Sequence, residues 1–243
     1  MLCGQRYWCW VLEKNEMNDE LKKYYSNSVL PIFSYLPNEH EKVELVGSGL
    51  YAKYKNFYLI VTDAHVINDK RLNQQIVIPN NQNNELEVAP TERKSVCKDK
   101  NIDLGFYILS EPLNSFTPLE LIEPVKQFNG VSVRFIGYPA SKSKYKYFDV
   151  KGCPYGINGK ISYNDEFRIA INYDEKNICV DGKKINPPDL HGISGGPVFI
   201  YNNNEIQLIG FTESVDLKEK KLYATKAEYL YKLLEKLEIL VCT

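Results

Sequence analysis

The sequence predicts an all-β protein of two antiparallel β-barrels, each six-stranded in type, with a short N-terminal helix and a closing C-terminal helix. Three observations carry that expectation. Short runs rich in β-branched and aromatic residues recur along the chain, turn-forming residues separate several of them, and helical periodicity is sustained only near the C-terminus. With 243 residues, 44% hydrophobic and 25% charged, the chain can bury a large core and still stay dissolved, which excludes disorder throughout. Thirty Lys and Arg against 31 Asp and Glu leave a net charge of −1. No global field then recruits nucleic acid or an anionic membrane, and specificity must come from local sites.

Residues 18–27 open on Asn18, Asp19 and Glu20 and carry Leu21, Tyr24 and Tyr25 at helical spacing, which predicts the first helix. Strand patterns follow at Val29–Leu36, Val43–Tyr54 and Phe57–Val66, with Lys55-Asn56 as a tight turn between the last two. Further strands are expected at Gln75–Pro79, Glu85–Val88, Leu104–Leu109, Ser132–Tyr138, Gly159–Tyr163 and Phe167–Tyr173. Pro197–Tyr201 and Gln207–Thr212 complete the set, joined through Asn202-Asn203-Asn204, since Asn tolerates the left-handed backbone such a turn needs. Ala227, Leu230, Leu234, Leu237 and Val241 then recur at three- and four-residue steps, an amphipathic helix of about four turns. Pro112, Pro118 and Pro124 within Glu111–Gly130 mark a crossing between lobes. The division expected is an appendage at 1–17, a first lobe at 18–116 and a second at 117–243.

Asn80–Asn84 reads as a solvated hairpin loop, and so does the segment in which Lys142, Lys144 and Lys146 alternate with Tyr145 and Tyr147. No apolar run approaches the roughly 18 residues a membrane-spanning helix needs. After Arg6, the run Tyr7–Leu12 is too short for a secretory signal and meets Glu13 and Lys14, so the expectation is a cytoplasmic protein. Cys3, Cys9, Cys97, Cys153, Cys179 and Cys242 form no CxxC pair, and His40, His65 and His191 bring no ligand spacing. Reduced thiols and no metal follow.

Chemistry concentrates in Ile60–Val66, Asn101–Gly105 and Gly192–Pro197. A serine hydroxyl is a poor nucleophile near neutral pH unless a neutral imidazole takes its proton, and that imidazole needs a carboxylate to fix its tautomer. His65, Asp103 and Ser194 supply the three types. Glycine at 192, 195 and 196 leaves the backbone around Ser194 bare, as donation of main-chain N–H groups to an oxyanion requires.

On these residues the chain resembles the trypsin-like serine peptidases of chymotrypsin fold, nearer the bacterial HtrA-type branch than the secreted digestive enzymes. The resemblance lies in Gly47-Ser48-Gly49-Leu50, Thr62-Asp63-Ala64-His65-Val66, Ile102-Asp103-Leu104, Gly137-Tyr138-Pro139, Ser194-Gly195-Gly196-Pro197 and Leu208–Phe211. It implies a serine endopeptidase with His65 as general base, Asp103 as the orienting carboxylate (Asp99 as fallback), Ser194 as nucleophile, and Gly192 and Ser194 N–H groups as the oxyanion hole. No cofactor is implied. Ile193 stands where the family usually has Asp or Asn, so the loop must be held by apolar packing instead of a salt bridge to a processed N-terminus. Residues 188–193 and 212–215 would line the specificity pocket, giving Asp189, His191, Thr212, Glu213 and Ser214 as substrate-binding residues. A one-residue bulge would bring Asp189 to the pocket floor and favour Lys or Arg at the cleavage site. Glu213 and Asp189 otherwise read as solvated loop charges. The partner implied is a protein or peptide substrate; compact unexported relatives in bacterial defence operons cleave one dedicated target. A Ser194 made unreactive by a misplaced Gly192 would instead leave a peptide-binding module.

Overall fold

The computed structural model describes residues 27–36, 39–72, 75–80, 85–122, 131–140, 144–146, 149–151, 154–173, 179–180, 183–184, 190–202 and 205–241. The helix expected over 18–27 falls almost wholly outside them. The first sheet is built from β1 (Val29–Leu36), β2 (Glu39–Tyr54), β3 (Phe57–Thr62), β4 (Val77–Asn80), β5 (Glu85–Val88), β6 (Thr91–Val96), β7 (Gly105–Leu109) and the short β8 (Leu119–Glu120). The order runs β5-β4-β1-β2-β3-β7-β6, with β8 alongside β2. It is a half-barrel, antiparallel except at the β2–β8 edge. A short helix, α1 (Ala64–Ile67), follows β3, so the segment expected to stay extended to Val66 turns after Thr62.

The second lobe adds β9 (Ser132–Gly137), β10 (Lys144–Lys146), β11 (Asp149–Lys151), β12 (Tyr155–Asn164), β13 (Arg168–Tyr173), β14 (Cys179–Val180), β15 (Lys183–Lys184), β16 (Pro197–Asn202), β17 (Glu205–Asp216) and β18 (Lys221–Lys226). Six of these close a barrel in the order β12-β13-β18-β17-β16-β9. β10 and β11 pair as the hairpin expected of the Lys- and Tyr-rich segment, and helix α2 (Glu228–Val241) ends the chain's described part. Together the half-barrel, the closed barrel and the terminal helix make a chymotrypsin-like fold.

Alternation along the strands explains how the two sheets share one interior. Leu59 and Val61 of β3 and Phe106 and Ile108 of β7 point to one cluster, whereas Ile60, Tyr107 and Leu109 point to another on the opposite face. The first cluster also contains Ile136, Phe199, Leu208 and Phe211 of the barrel and Leu230 and Leu234 of α2, so it is the core between lobes. Val133, Phe135, Val198, Ile200 and Ile209 face the barrel interior. Each large apolar side chain taken fully out of water here contributes about 1.5–3 kcal/mol. The turn between β2 and β3 has two residues, with Lys55 accepting a φ of 53°.

Cys97 is a free thiol, partly buried against the core between lobes. Among the described residues, no helix is long and apolar enough to cross a membrane.

Candidate active site

β3 ends at Thr62, whose buried Oγ1 donates to the Ser48 carbonyl of β2 at 2.7 Å. α1 begins two residues on, which lifts His65 from the sheet and leaves its side chain 52% exposed. Asp103 sits just before β7 between the buried Ile102 and Leu104, so the alternation that buries its neighbours turns its own side chain toward α1. Its Oδ1 accepts the His65 main-chain N–H at 2.9 Å and its Oδ2 meets the ring Nδ1 at 2.5 Å. Asp99 is occupied elsewhere, accepting the Asn101 N–H at 2.9 Å in the preceding turn.

The electrostatics follow from that contact. The hydrogen bond to Asp103 raises the His65 pKa above its ordinary value, against a smaller opposing effect of burial. Burial by itself would raise the Asp103 pKa, but hydrogen bonds from the His65 ring and from the His65 and Ala64 N–H groups bring it below the usual carboxylate range.

Ser194 arrives from the other lobe, on the loop that precedes β16. Gly195 N–H donates to the Thr212 carbonyl at 2.7 Å, Gly196 N–H to Ile193 at 2.9 Å, and Thr212 N–H returns to Gly196 at 2.8 Å. Gly192 and Gly195 have φ of +93° and +82°, the left-handed region that a side chain disfavours. Ile193 is buried in the barrel core, and a Cβ on Gly137 would come within 2.9 Å of Ile193 Cβ. The apolar packing expected of this residue is therefore present, and the glycine of Gly-Tyr-Pro makes room for it.

Two carbonyls set the direction of the loop's free donors. The His191 carbonyl accepts the Ala140 N–H at 2.7 Å, and the Ile193 carbonyl accepts from Gly196. A trans peptide points its N–H opposite its C=O, so the Gly192 and Ser194 N–H groups face away from these partners. Neither donates to an acceptor among the described residues. Ser194 Oγ donates to the Glu213 main-chain carbonyl at 3.4 Å, and no hydrogen bond joins it to the His65 ring.

Of the expected substrate-binding residues, His191 and Ser214 are exposed at the loop and on β17, while Asp189 lies outside the described residues. Thr212 is buried and serves the loop through its main chain. Glu213 is on a strand, not a solvated loop: its carboxylate is 12% exposed, pairs with Arg168 at 2.7 Å and accepts from Thr225 Oγ1 at 3.2 Å. Burial is the main reason its pKa is raised, with Arg168 opposing.

Sequence reasoning saw Ser48 only as part of a glycine-flanked strand. Its N–H donates to the Ser194 carbonyl at 2.7 Å, and its Oγ donates to the Gly192 carbonyl at 2.7 Å while accepting the Tyr138 N–H at 2.8 Å. One residue of the first sheet thus holds the serine loop at two points, Gly192 through its side chain and Ser194 through its main chain. Its partners are main-chain groups, which leave no side-chain signature in a sequence. Ser48→Ala leaves a buried N–H and a carbonyl without their side-chain partner, and is expected to destabilise the fold by about 1–3 kcal/mol. Urea unfolding of the variant beside the parent checks this.

The fold and loop geometry together define a peptidase-fold protein. A model of the trypsin-like peptidase domain matches residues 47–210, and the chain belongs to that family. No curated protein matches the sequence.

Proposed function

We propose that this protein is a serine endopeptidase in which His65, Asp103 and Ser194 act as a triad. The observation that supports it most is the pair of outward N–H groups, Gly192 and Ser194, beside a serine on a loop pinned to the sheet that carries His65. This reading requires a rotation about the Ser194 Cα–Cβ bond that frees Oγ from the Glu213 carbonyl and turns it toward His65 Nε2; catalytic hydrogen bonds are often unformed before substrate binds. Oγ then attacks the scissile carbonyl carbon as His65 takes its proton, and the carbonyl oxygen becomes an oxyanion held by the two N–H groups. His65, held by Asp103, passes the proton to the leaving amine, and water releases the acyl group by the same steps in reverse.

The junction of a first lobe at 18–116 and a second at 117–243 would form the cleft, with residues 1–17 an appendage, although β8 (Leu119–Glu120) just past that boundary still pairs with β2 of the first sheet. The natural substrate would be one dedicated protein in a bacterial cytoplasm. Comparing protein termini in cells that express the active chain and Ser194→Ala would identify it.

Because only neutral imidazole can accept the Ser194 proton, kcat/KM is expected to rise with pH through a midpoint above the ordinary value of about 6.5. A pH profile at low substrate concentration checks the direction.

The second reading is a peptide-binding module, favoured by the contact of Ser194 Oγ with Glu213 in place of His65. A fluorophosphonate probe separates the two. A triad enzyme is labelled at Ser194 and loses the label in Ser194→Ala; an unlabelled, folded protein sinks the peptidase reading.

A further inference from the structure

The turn that presents His65 holds a second acid that the triad does not use. Asp63 occupies the N-cap position of α1, where an Asp side chain ordinarily accepts an N–H of the first helical turn, yet it makes no such bond. Asp103, thirty-eight residues from His65 in sequence, supplies that acceptor instead. Asp63 is thereby free to turn inward. It is fully buried, and neither carboxyl oxygen has a hydrogen-bond partner among the described residues. Its Oδ2 stands 3.8 Å from His65 Nδ1, and ligand-type atoms of Asp63, His65 and Asp103 all lie within 4.8 Å of one another.

An isolated carboxylate at zero exposure is costly, and the surrounding charges make it more so. Burial raises the Asp63 pKa well above its ordinary value, and the like charges of Asp103 before β7 and Glu213 on β17 add to it, against a partial opposing pull from the nearby Gly195 N–H, which donates to the Thr212 carbonyl. No cation forms an ion pair with Asp63 among the described residues: Arg168 pairs with Glu213, and Arg71 with Asp69 and Glu44. Asp69 itself acts on His65 in the same direction as Asp103.

We propose that Asp63 is a positioning residue, a neutral carboxylic acid that turns its O–H toward Asp103, across a gap of at most 4.8 Å between their ligand-type atoms, and so shares that anion with the His65 ring. Asp103 has lone pairs to spare beyond the two bonds it accepts from His65. One proton stays on Asp63 throughout, and none is exchanged with substrate. An ionised Asp63 would place a second anion beside Nδ1, hold His65 as imidazolium and withdraw the base. The catalytic consequence rests on the serine-peptidase reading, whereas the protonation state of Asp63 does not.

The test uses the full chain. Infrared difference spectra of the Ser194→Ala protein against Ser194→Ala/Asp63→Asn at neutral pH are expected to contain the C=O band of a protonated carboxyl, lost in the double variant. In the same background the downfield proton resonance of His65 Nδ1–H is expected to survive Asp63→Asn and to broaden or shift in Asp63→Ala. In the otherwise unchanged enzyme, Asp63→Ala is expected to lower kcat by about tenfold or more with little change in KM, as loss of one hydrogen bond to an ionised group predicts. Asp63→Asn, a neutral donor of the same shape, is expected to restore most of it. Absence of the protonated-carboxyl band overturns the proposal, as does an Asn variant no better than Ala. If Asp63→Ala does not fold, the band and the Asn kinetics still decide. A chain that neither turns over substrate nor takes the fluorophosphonate fails the peptidase reading alone, and the two spectra still report on Asp63.

Discussion

Purified Ser194→Ala protein is expected to lose hydrolytic turnover by roughly four to six powers of ten, and His65→Ala to fall about as far. The structure says why the fold should survive both. Ser194 Oγ makes a single long hydrogen bond, 3.4 Å to a main-chain carbonyl, so its removal leaves no buried donor stranded. The His65 ring is half exposed and makes its close contact with Asp103, which keeps the main-chain N–H bond when the ring is gone. Both variants should therefore melt within about 1 kcal/mol of the parent, as substitutions away from a packed core do. Combining them should cost little more than either one, because groups that act as a unit are not additive. Single-turnover assays with an activated ester would measure the loss. Turnover within tenfold of the parent from Ser194→Ala would remove Ser194 from the chemistry.

The second large effect concerns stability. Gly195→Ala is expected to destabilise the fold by more than about 3 kcal/mol, or to yield no soluble protein. At φ +82° a Cβ costs of the order of 1–2 kcal/mol in any setting. Here it would also overlap Thr62 Oγ1 and the Ser48 carbonyl oxygen. Those two atoms are hydrogen-bonded to each other at 2.7 Å, so neither can yield without breaking the link between β2 and β3 beside the serine loop. Gly156→Ala is the internal control: a Cβ there would lie 3.5 Å from the flexible Arg134 side chain, in ordinary contact. Urea unfolding of the pair should separate them widely. Equal stabilities would mean that the loop is not clamped against the first sheet.

The strands that bury both faces were legible because their apolar residues run on without a break, as in β3 and β7. β6 was not, since Thr91–Val96 is an edge strand with Glu92, Arg93 and Lys94 turned to solvent and no apolar alternation to read. β18 escaped for a related reason: its buried Leu222, Ala224 and Thr225 are too few and too small to stand out between lysines. At the site, the His65 turn and the glycine-rich serine loop could be located from local composition. What each polar side chain bonds to could not. Glu213 reads as a surface charge until Arg168, forty-five residues earlier, is set beside it by the β13–β18–β17 order. Asp63 falls inside an expected strand, so nothing local shows that a helix begins there with Asp103, forty residues on, as the acceptor for its first turn.

Asp103 grips both the backbone and the ring of one residue, so α1, the imidazole and the carboxylate travel as a single piece of the first sheet. The hydroxyl they would serve belongs to the opposite barrel, and the hydrogen bonds described from its loop to the first sheet come from Ser48. The distance between that hydroxyl and the ring is thus set across the seam. A ligand, partner or temperature change that parts or tightens the two halves by a fraction of a bond length would tune reactivity without touching any of the three reacting groups.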